Sequence, residues 1–246
     1  MNIKNTSKTT GVIQPIGVDY LLIDIVDGKL SIKEAKTNKE LCKNNILSQK
    51  KTIIDNRIYV INDDKISEIK LMQLGNNIIP SYGNSWTVLP KATKVFRGMF
   101  YSDVLGVPYL YIPYNNNKMG IFKIDELKGY RIQDAKYDNG ICIIVASKKN
   151  GTFDRLIIKF KFEDSLYNID IENNITQSSV NFVTLDNGIT VLLTGDDSIE
   201  IFHNAFSATK KIINDVNLNG DSILFKNLNK VYIYSGKNIY QIEVKK

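Results

Sequence analysis

The 246 residues are 43% hydrophobic, 10% aromatic and 24% charged, the ordinary composition of a globular protein with enough chain for a sizeable core. Only two cysteines, Cys42 and Cys142, occur, which excludes a disulfide-framed secreted module; both are expected as unpaired thiols, with Cys142 buried in the apolar run ICIIVA. The start, MNIKNTSKTTG, is polar and carries no secretory apolar region, and runs such as YLLIDIV at 20–26 are too short to span a bilayer as a helix, so neither membrane insertion nor export is expected. The expected setting is reducing and cytoplasmic, or the interior of a host cell for a viral protein.

Strand signals dominate in chain order. The first ten residues are expected to be loose, with residues 11–246 forming a single domain. A hairpin is expected over 20–35, turning at Asp27-Gly28, a strong short-range hairpin signal. The segment 33–47 has no sustained amphipathic stripe, and 38–47 is expected to hold at most a turn or two of helix in a loop. Further hairpins are expected over 57–71, 108–124, 141–162, 189–203 and 230–244, each turning at Asn, Asp or Gly. Each hairpin follows a short apolar stretch: VIQPI at 12, KTII at 51, TKVF at 93, YRI at 130, VNFV at 180 and SILF at 222. These starts lie 39, 42, 37, 50 and 42 residues apart, a mean of 42, which is the repeat length of four-stranded propeller blades. The outermost strands of the second and third units are expected around 75–90 and 125–128.

The expected fold is therefore all-β, a β-propeller of about five or six antiparallel blades. The stretch GVIQPI at 11–16 would supply a fourth strand to the last blade and close the ring. A β-sandwich or jelly roll would have strands equally short but would not need the repeating period.

The formal net charge is +6 and unevenly spread. Residues 29–51 hold seven lysines against Glu34 and Glu40, and residues 226–246 hold five lysines against Glu243. In a closed ring these two stretches would become neighbours and could offer phosphate contacts, although solvated lysines that maintain solubility are the favoured account.

In period and strand pattern, residues 11–244 resemble the tryptophan–aspartate-repeat (WD40-like) and quinoprotein-like β-propeller superfamily. The resemblance implies a rigid ring that presents loops to partners. No family dipeptide accompanies it: Trp86 is the sole tryptophan, His203 is followed by Asn204, and kelch-type double glycines are missing. Ile79 to Trp86 is faintly similar to the Asp-box of sialidase-like propellers, with Gly83 and Trp86 in place but Ile79 and Ser81 where the box has Ser and Asp.

One histidine and two distant cysteines make an imidazole-based metal centre or histidine-cysteine catalysis unexpected. His203 is expected at a strand end, and Asp63-Asp64 and Asp196-Asp197 are expected to satisfy turn amides. Neither a phosphate-binding glycine loop nor a nucleophile elbow occurs, and no cofactor is expected. Aromatic and basic residues interleave at Lys94–Tyr101 and Tyr109–Tyr114, and arginine is scarce beside lysine. Candidate binding residues are therefore Arg97, Tyr101, Tyr109, Tyr111, Tyr114, Arg131 and Arg155. Blade-to-blade packing would use the same tyrosines. Two functions fit: a non-catalytic protein-interaction module or assembly subunit, or a hydrolase or lyase acting on a sugar or phosphate compound at an axial pocket. A protein partner is favoured, with nucleic acid behind it.

Overall fold

The computed structural model describes residues 12–16, 19–27, 29–34, 39–47, 50–54, 57–74, 77–115, 118–148, 151–194, 198–203, 208–212, 222–227, 229–235 and 238–242. Contacts divide the chain into two units, Met1–Asp125 and Glu126–Lys246. Each unit holds three consecutive antiparallel sheets.

In the first unit, β1 (Val12–Ile16), β2 (Asp19–Val26), β3 (Lys29–Glu34) and β4 (Glu40–Leu47) form blade 1. Blade 2 is β5 (Lys50–Ile54), β6 (Arg57–Asn62), β7 (Lys65–Leu74) and β8 (Asn77–Thr87). Blade 3 is β9 (Lys94–Phe96), β10 (Met99–Val104), β11 (Val107–Tyr114) and β12 (Lys118–Lys123). In the second unit, blade 4 is β13 (Arg131–Asp138), β14 (Ile141–Ser147), β15 (Phe153–Lys161) and β16 (Leu166–Ile175). Blade 5 is β17 (Phe182–Thr184), β18 (Thr190–Thr194), β19 (Ser198–Phe202) and β20 (Ala208–Ile212). The last sheet has three described strands, β21 (Ile223–Asn227), β22 (Lys230–Ser235) and β23 (Asn238–Ile242). Five four-stranded meanders in sequence, each a blade, make this an all-β fold of the β-propeller type.

A lone four-stranded sheet cannot bury both faces, so neighbouring blades stack. Leu30, Ile32, Ile46, Ile58 and Val60 form a core between blades 1 and 2. Ile143, Val145, Phe182 and Leu192 do so between blades 4 and 5, and Val191, Ile199, Val231 and Ile233 between blade 5 and the last sheet. Polar side chains near the first strand of a blade also bind the backbone of the next. The Thr52 hydroxyl donates to Phe96 O at 2.8 Å and accepts the Gly98 N–H at 2.6 Å. Asp134 accepts the Val180 N–H and Asp138 the Thr184 N–H, each at 2.7 Å and each across 46 residues. Asn181 donates to Ser222 O at 2.7 Å and accepts the Leu224 N–H at 3.1 Å. The period read along the sequence is thus the spacing of a repeated inter-blade hydrogen bond.

The structure departs from expectation at four places. Residues 40–47 are strand β4 rather than a helical turn, because Cys42 and Ile46 are buried against the blade 1 and 2 core. Asp125–Leu127 is a short 3-10 helix rather than an outer strand; Leu127 is its buried residue and its carbonyl accepts the Tyr130 N–H. Blade 3 instead gains β10, whose turn from β9 at Arg97-Gly98 uses φ +85° at the glycine. Finally, Val12–Ile16 pairs with β2 in blade 1, and no pairing of it with β21–β23 occurs among the described residues. The loose first decapeptide and Asp196-Asp197 lie outside the described residues. Cys42 and Cys142 are not joined in a disulfide; Cys142 is buried as expected, Cys42 is buried as well, and burial pushes the Cys142 thiol pKa well up.

Candidate functional site

Blade 3 presents the most conspicuous surface feature. Its central hairpin turns at Leu105-Gly106, with φ +54° at Leu105 and +76° at Gly106. Such a turn ordinarily takes Asn-Gly, because a Cβ-bearing residue in the left-handed region is strained by roughly 1–2 kcal/mol. Here a leucine occupies the first position and is 97% exposed. The connector into β9 brings a second leucine to the same turn end, since it runs back along β10: Thr93 N–H donates to Tyr101 O at 2.8 Å, and the Ser102 hydroxyl to Lys91 O at 2.8 Å. Leu89, in a cis peptide bond with Pro90, is 74% exposed.

This connector is tied down on several sides. Val88 N–H donates to Asp64 O at 2.8 Å, the Lys91 ammonium pairs with Asp63 at 2.9 Å, and Lys50 donates to Thr93 O at 2.6 Å. The Tyr111 hydroxyl donates to Pro90 O from within the sheet. Burial, followed by the neighbouring Tyr109, pushes the Tyr111 pKa up to about 12, so this phenol stays a donor at neutral pH. Two apolar side chains therefore project from a backbone that is already ordered.

The seven candidate residues do not form one cluster. Tyr111 is fully buried and Tyr101 nearly so; Tyr101 packs edge-on against Phe96 at 6.2 Å with the Lys94 ammonium 5.8 Å from its ring centre. Burial and then Asp103 raise the Tyr101 pKa. Tyr109 and Tyr114 are half-buried on β11, and Arg97 is exposed at the opposite turn end from Leu105. In the second unit Arg131 is exposed at the start of β13, whereas the Arg155 side chain is 6% exposed on β15. Arg155 Nη2 donates to Glu172 and, at 2.7 Å, to Glu200 of blade 5. Nothing in the sequence marks Leu89 and Leu105, because an isolated leucine before proline or glycine carries no chemistry; for Leu105 the two-residue hairpin turn closed by Gly106 is the available signal.

Blade 4 carries a second polar group, built on Asp154. Its carboxylate accepts the Tyr130 hydroxyl at 2.7 Å and the Asn174 N–H at 3.0 Å, and lies 3.9 Å from Lys148. The Lys148 ammonium sits 4.6 Å from the Tyr130 ring centre. Burial alone would raise the Asp154 pKa; the Tyr130 hydroxyl, the Asn174 amide and Lys148 outweigh it and hold the carboxyl below its ordinary value. A pKa depressed on folding stabilises the protein fully above the unfolded value, about 4, and this contribution is lost as pH falls through the folded value. Acid titration followed by circular dichroism should show the wild type losing stability below about pH 4, with Asp154→Asn losing less over that interval. An unchanged acid limb in Asp154→Asn would remove Asp154 from the account.

Elsewhere the chemistry is sparse. His203 is exposed directly after β19, as expected. Gly83 and Trp86 lie within β8. Among the described residues no three His, Cys, Asp or Glu side chains are placed to hold a metal ion, and no helix is long and apolar enough to cross a membrane.

Blades of this order and register place the protein in the broad β-propeller class. No family model and no curated protein matches the sequence. Among solved structures, Kluyveromyces lactis Hsv2 is 10% identical with a TM-score of 0.48, covering 94% of this chain and 78% of its own. The Cps50 (Swd1) β-propeller domain of Myceliophteria thermophila is 10% identical with a TM-score of 0.46, covering 100% of this chain and 90% of its own. At that identity and TM-score nothing is drawn from either likeness.

Proposed function

We propose that this protein is a non-catalytic interaction scaffold that docks a protein partner on the turn end of blade 3. The observation that supports this is Leu105, 97% exposed in a left-handed turn position that asparagine would fill with less strain. Leu89 and Val104 extend the apolar surface, and the anchored connector lowers the ordering cost of binding. Tyr109, on the adjoining β11, is the sequence candidate nearest to it along the blade, while Arg97 and Tyr114 would serve contacts at the other turn end. Arg155, which an axial anion pocket would need, is held by two carboxylates.

Leu105→Asn separates binding from folding. It should leave the protein as stable as the wild type or up to about 1 kcal/mol more stable, because Asn tolerates the turn dihedrals. The same variant should lose the partner captured by the wild-type chain from its source lysate. Retention of that partner by both Leu105→Asn and Leu89→Asp would defeat the proposal.

A further inference from the structure

The flanks of blades 2 and 3 carry exposed apolar side chains that lie apart from the Leu105 turn: Met72 at 55%, Ile79 at 44% and Ile121 at 46%. Register assigns each to a face. Thr52 is opposite Tyr59, and Tyr59 opposite Glu68, so these three share one face of blade 2. Two and four positions beyond Glu68 on β7, Lys70 and Met72 lie on that face, and Met72 is opposite Ile79. The face looks toward blade 3, because Thr52 bonds Phe96 O and Lys50, at the same parity, bonds Thr93 O.

In blade 3, Tyr111 is opposite Ile121 and Pro113 is opposite Met119, so these four also share a face. The Tyr111 hydroxyl on that face bonds Pro90 O. Pro90 belongs to the connector that arrives from β8 and is fastened to Asp64 and Asp63 of blade 2 through Val88 and Lys91. The two apolar faces are therefore turned toward each other. At the inner strands they are joined by the Thr52 and Lys50 bonds. Farther out Met72, Ile79 and Ile121 stay open to solvent, and Met119 half so, which leaves a wedge between the two outer hairpins.

The exposed charge beside this wedge has one sign. The outer hairpins, residues 65–87 and 107–123, contain Lys65, Lys70, Lys118 and Lys123 and a single acid, Glu68. Glu68 is buried, accepts from Asn84 Nδ2 at 3.0 Å and lies 3.6 Å from Arg57, so its charge is answered inside the blade. Lys70 is held against the edge strand at Gly83, where a Cβ would stand 2.9 Å from Lys70 Cε and 3.0 Å from Glu68 Oε2. Any larger residue at 83 would push this lysine aside. Lys123, at the same parity as Ile121, ends the blade 3 wall; it is half-exposed and paired with Asp125 at 2.9 Å.

We infer that the wedge between blades 2 and 3 receives a short extended segment of a partner protein, a few apolar residues flanked by aspartate or glutamate. An extended chain sends alternate side chains to opposite sides, so successive apolar residues would meet Met72 and Ile79 on one wall and Ile121 and Met119 on the other. The flanking acids would meet Lys70 and the lysines at the mouth. The same lysines repel a second copy of this surface, so charge selects an acidic occupant. A planar bilayer rests on protruding tips, whereas these side chains lie on walls that face each other. This surface is separate from the blade 3 leucines, and Leu105→Asn should leave it unaltered.

The probe is a fluorescein-labelled peptide, Asp-Glu-Leu-Val-Leu-Glu-Asp, titrated into the full chain and read by anisotropy. It should bind saturably, and about tenfold more tightly than the same peptide with serines for its apolar residues or with lysines for its acids. Ile79→Asp and Ile121→Asp each place an acid in one wall and should each weaken binding about tenfold, as should Lys70→Glu. All three side chains are exposed, so these variants should keep the wild-type melting curve. The serine peptide tests the same contact without altering the protein. Absence of saturable binding, equal binding of the serine peptide, or full binding by both Ile79→Asp and Ile121→Asp would overturn the inference. Flotation of the wild-type chain with phosphatidylserine vesicles, lost in both variants, would assign the wedge to a lipid surface and overturn it too. A concentration-dependent dimer lost in both variants would assign it to a second copy, with the same consequence.

Discussion

Replacement of Arg155 by alanine should lower the stability of the second unit by about 3–5 kcal/mol, the range for breaking a buried ion pair from one side. The guanidinium is 6% exposed and bonds Glu172 on its own blade and Glu200 on the next. Its Cζ also lies 6.0 Å from the Phe202 ring centre. Removing it strands Glu200, whose side chain is only 14% exposed, whereas Glu172, half-exposed, returns to water at little cost. For a chain of this length the loss corresponds to a fall in Tm of about 6–20 °C. Arg155→Lys should recover only part, because the shorter lysine side chain stops short of the Nη2 position from which both carboxylates are reached. The double variant Arg155→Met with Glu200→Leu should recover most, since it leaves no buried charge unpaired. Thermal unfolding by circular dichroism reads all three. A loss below about 1 kcal/mol in Arg155→Ala would mean that water reaches Glu200 freely.

Asp138→Ala is the second large effect. One Asp138 oxygen accepts the N–H of Thr184, a fully buried residue, and the other accepts from the Lys226 ammonium at 3.0 Å. Lys226 also donates to Thr184 O at 2.9 Å, so three successive first strands, β13, β17 and β21, share the arrangement. Alanine would leave a buried amide without an acceptor and remove the carboxylate from a partly buried lysine, a cost of about 2–4 kcal/mol. Asp138→Asn keeps an acceptor for Thr184 and should lose less than half as much. Chemical denaturation gives the comparison, and hydrogen exchange at the Thr184 amide should rise in Asp138→Ala and stay near wild type in Asp138→Asn. Equal losses in both variants would show that the charge on Lys226, rather than the amide, carries the effect.

These two residues also mark where local pattern stops informing. Asp138 closes a strand and precedes Asn139-Gly140, a turn by composition alone; nothing local marks its acceptor role towards an amide 46 residues away. Arg155 was singled out by residue type as a ligand for anions, but the carboxylates it meets come from Glu172 across its own hairpin and Glu200 a blade further on. Tyr111 alternates correctly with Leu110, yet alternation assigns a side chain to a face without saying whether that face meets solvent or another blade. In a propeller both faces of a blade are covered over much of their length, so the aromatic face expected to bind is partly interior, with Tyr111 fully buried and Tyr109 half so.

What the amino-acid sequence determined by itself is local. Strands, their turns at Asp27 and Asn115, and the repeat length follow from side-chain alternation and from residues that tolerate positive φ, interactions spanning a few positions. The first strands at Val12, Lys50, Lys94, Arg131, Phe182 and Ile223 all fall on the apolar stretches or within two residues of them. The tertiary structure alone decided which strand joins which sheet and which arginines are buried. Those outcomes depend on contacts across 40 or more residues, such as Asn181 with Leu224 at a separation of 43, where the partner is set by how blades stack rather than by any neighbour in the chain.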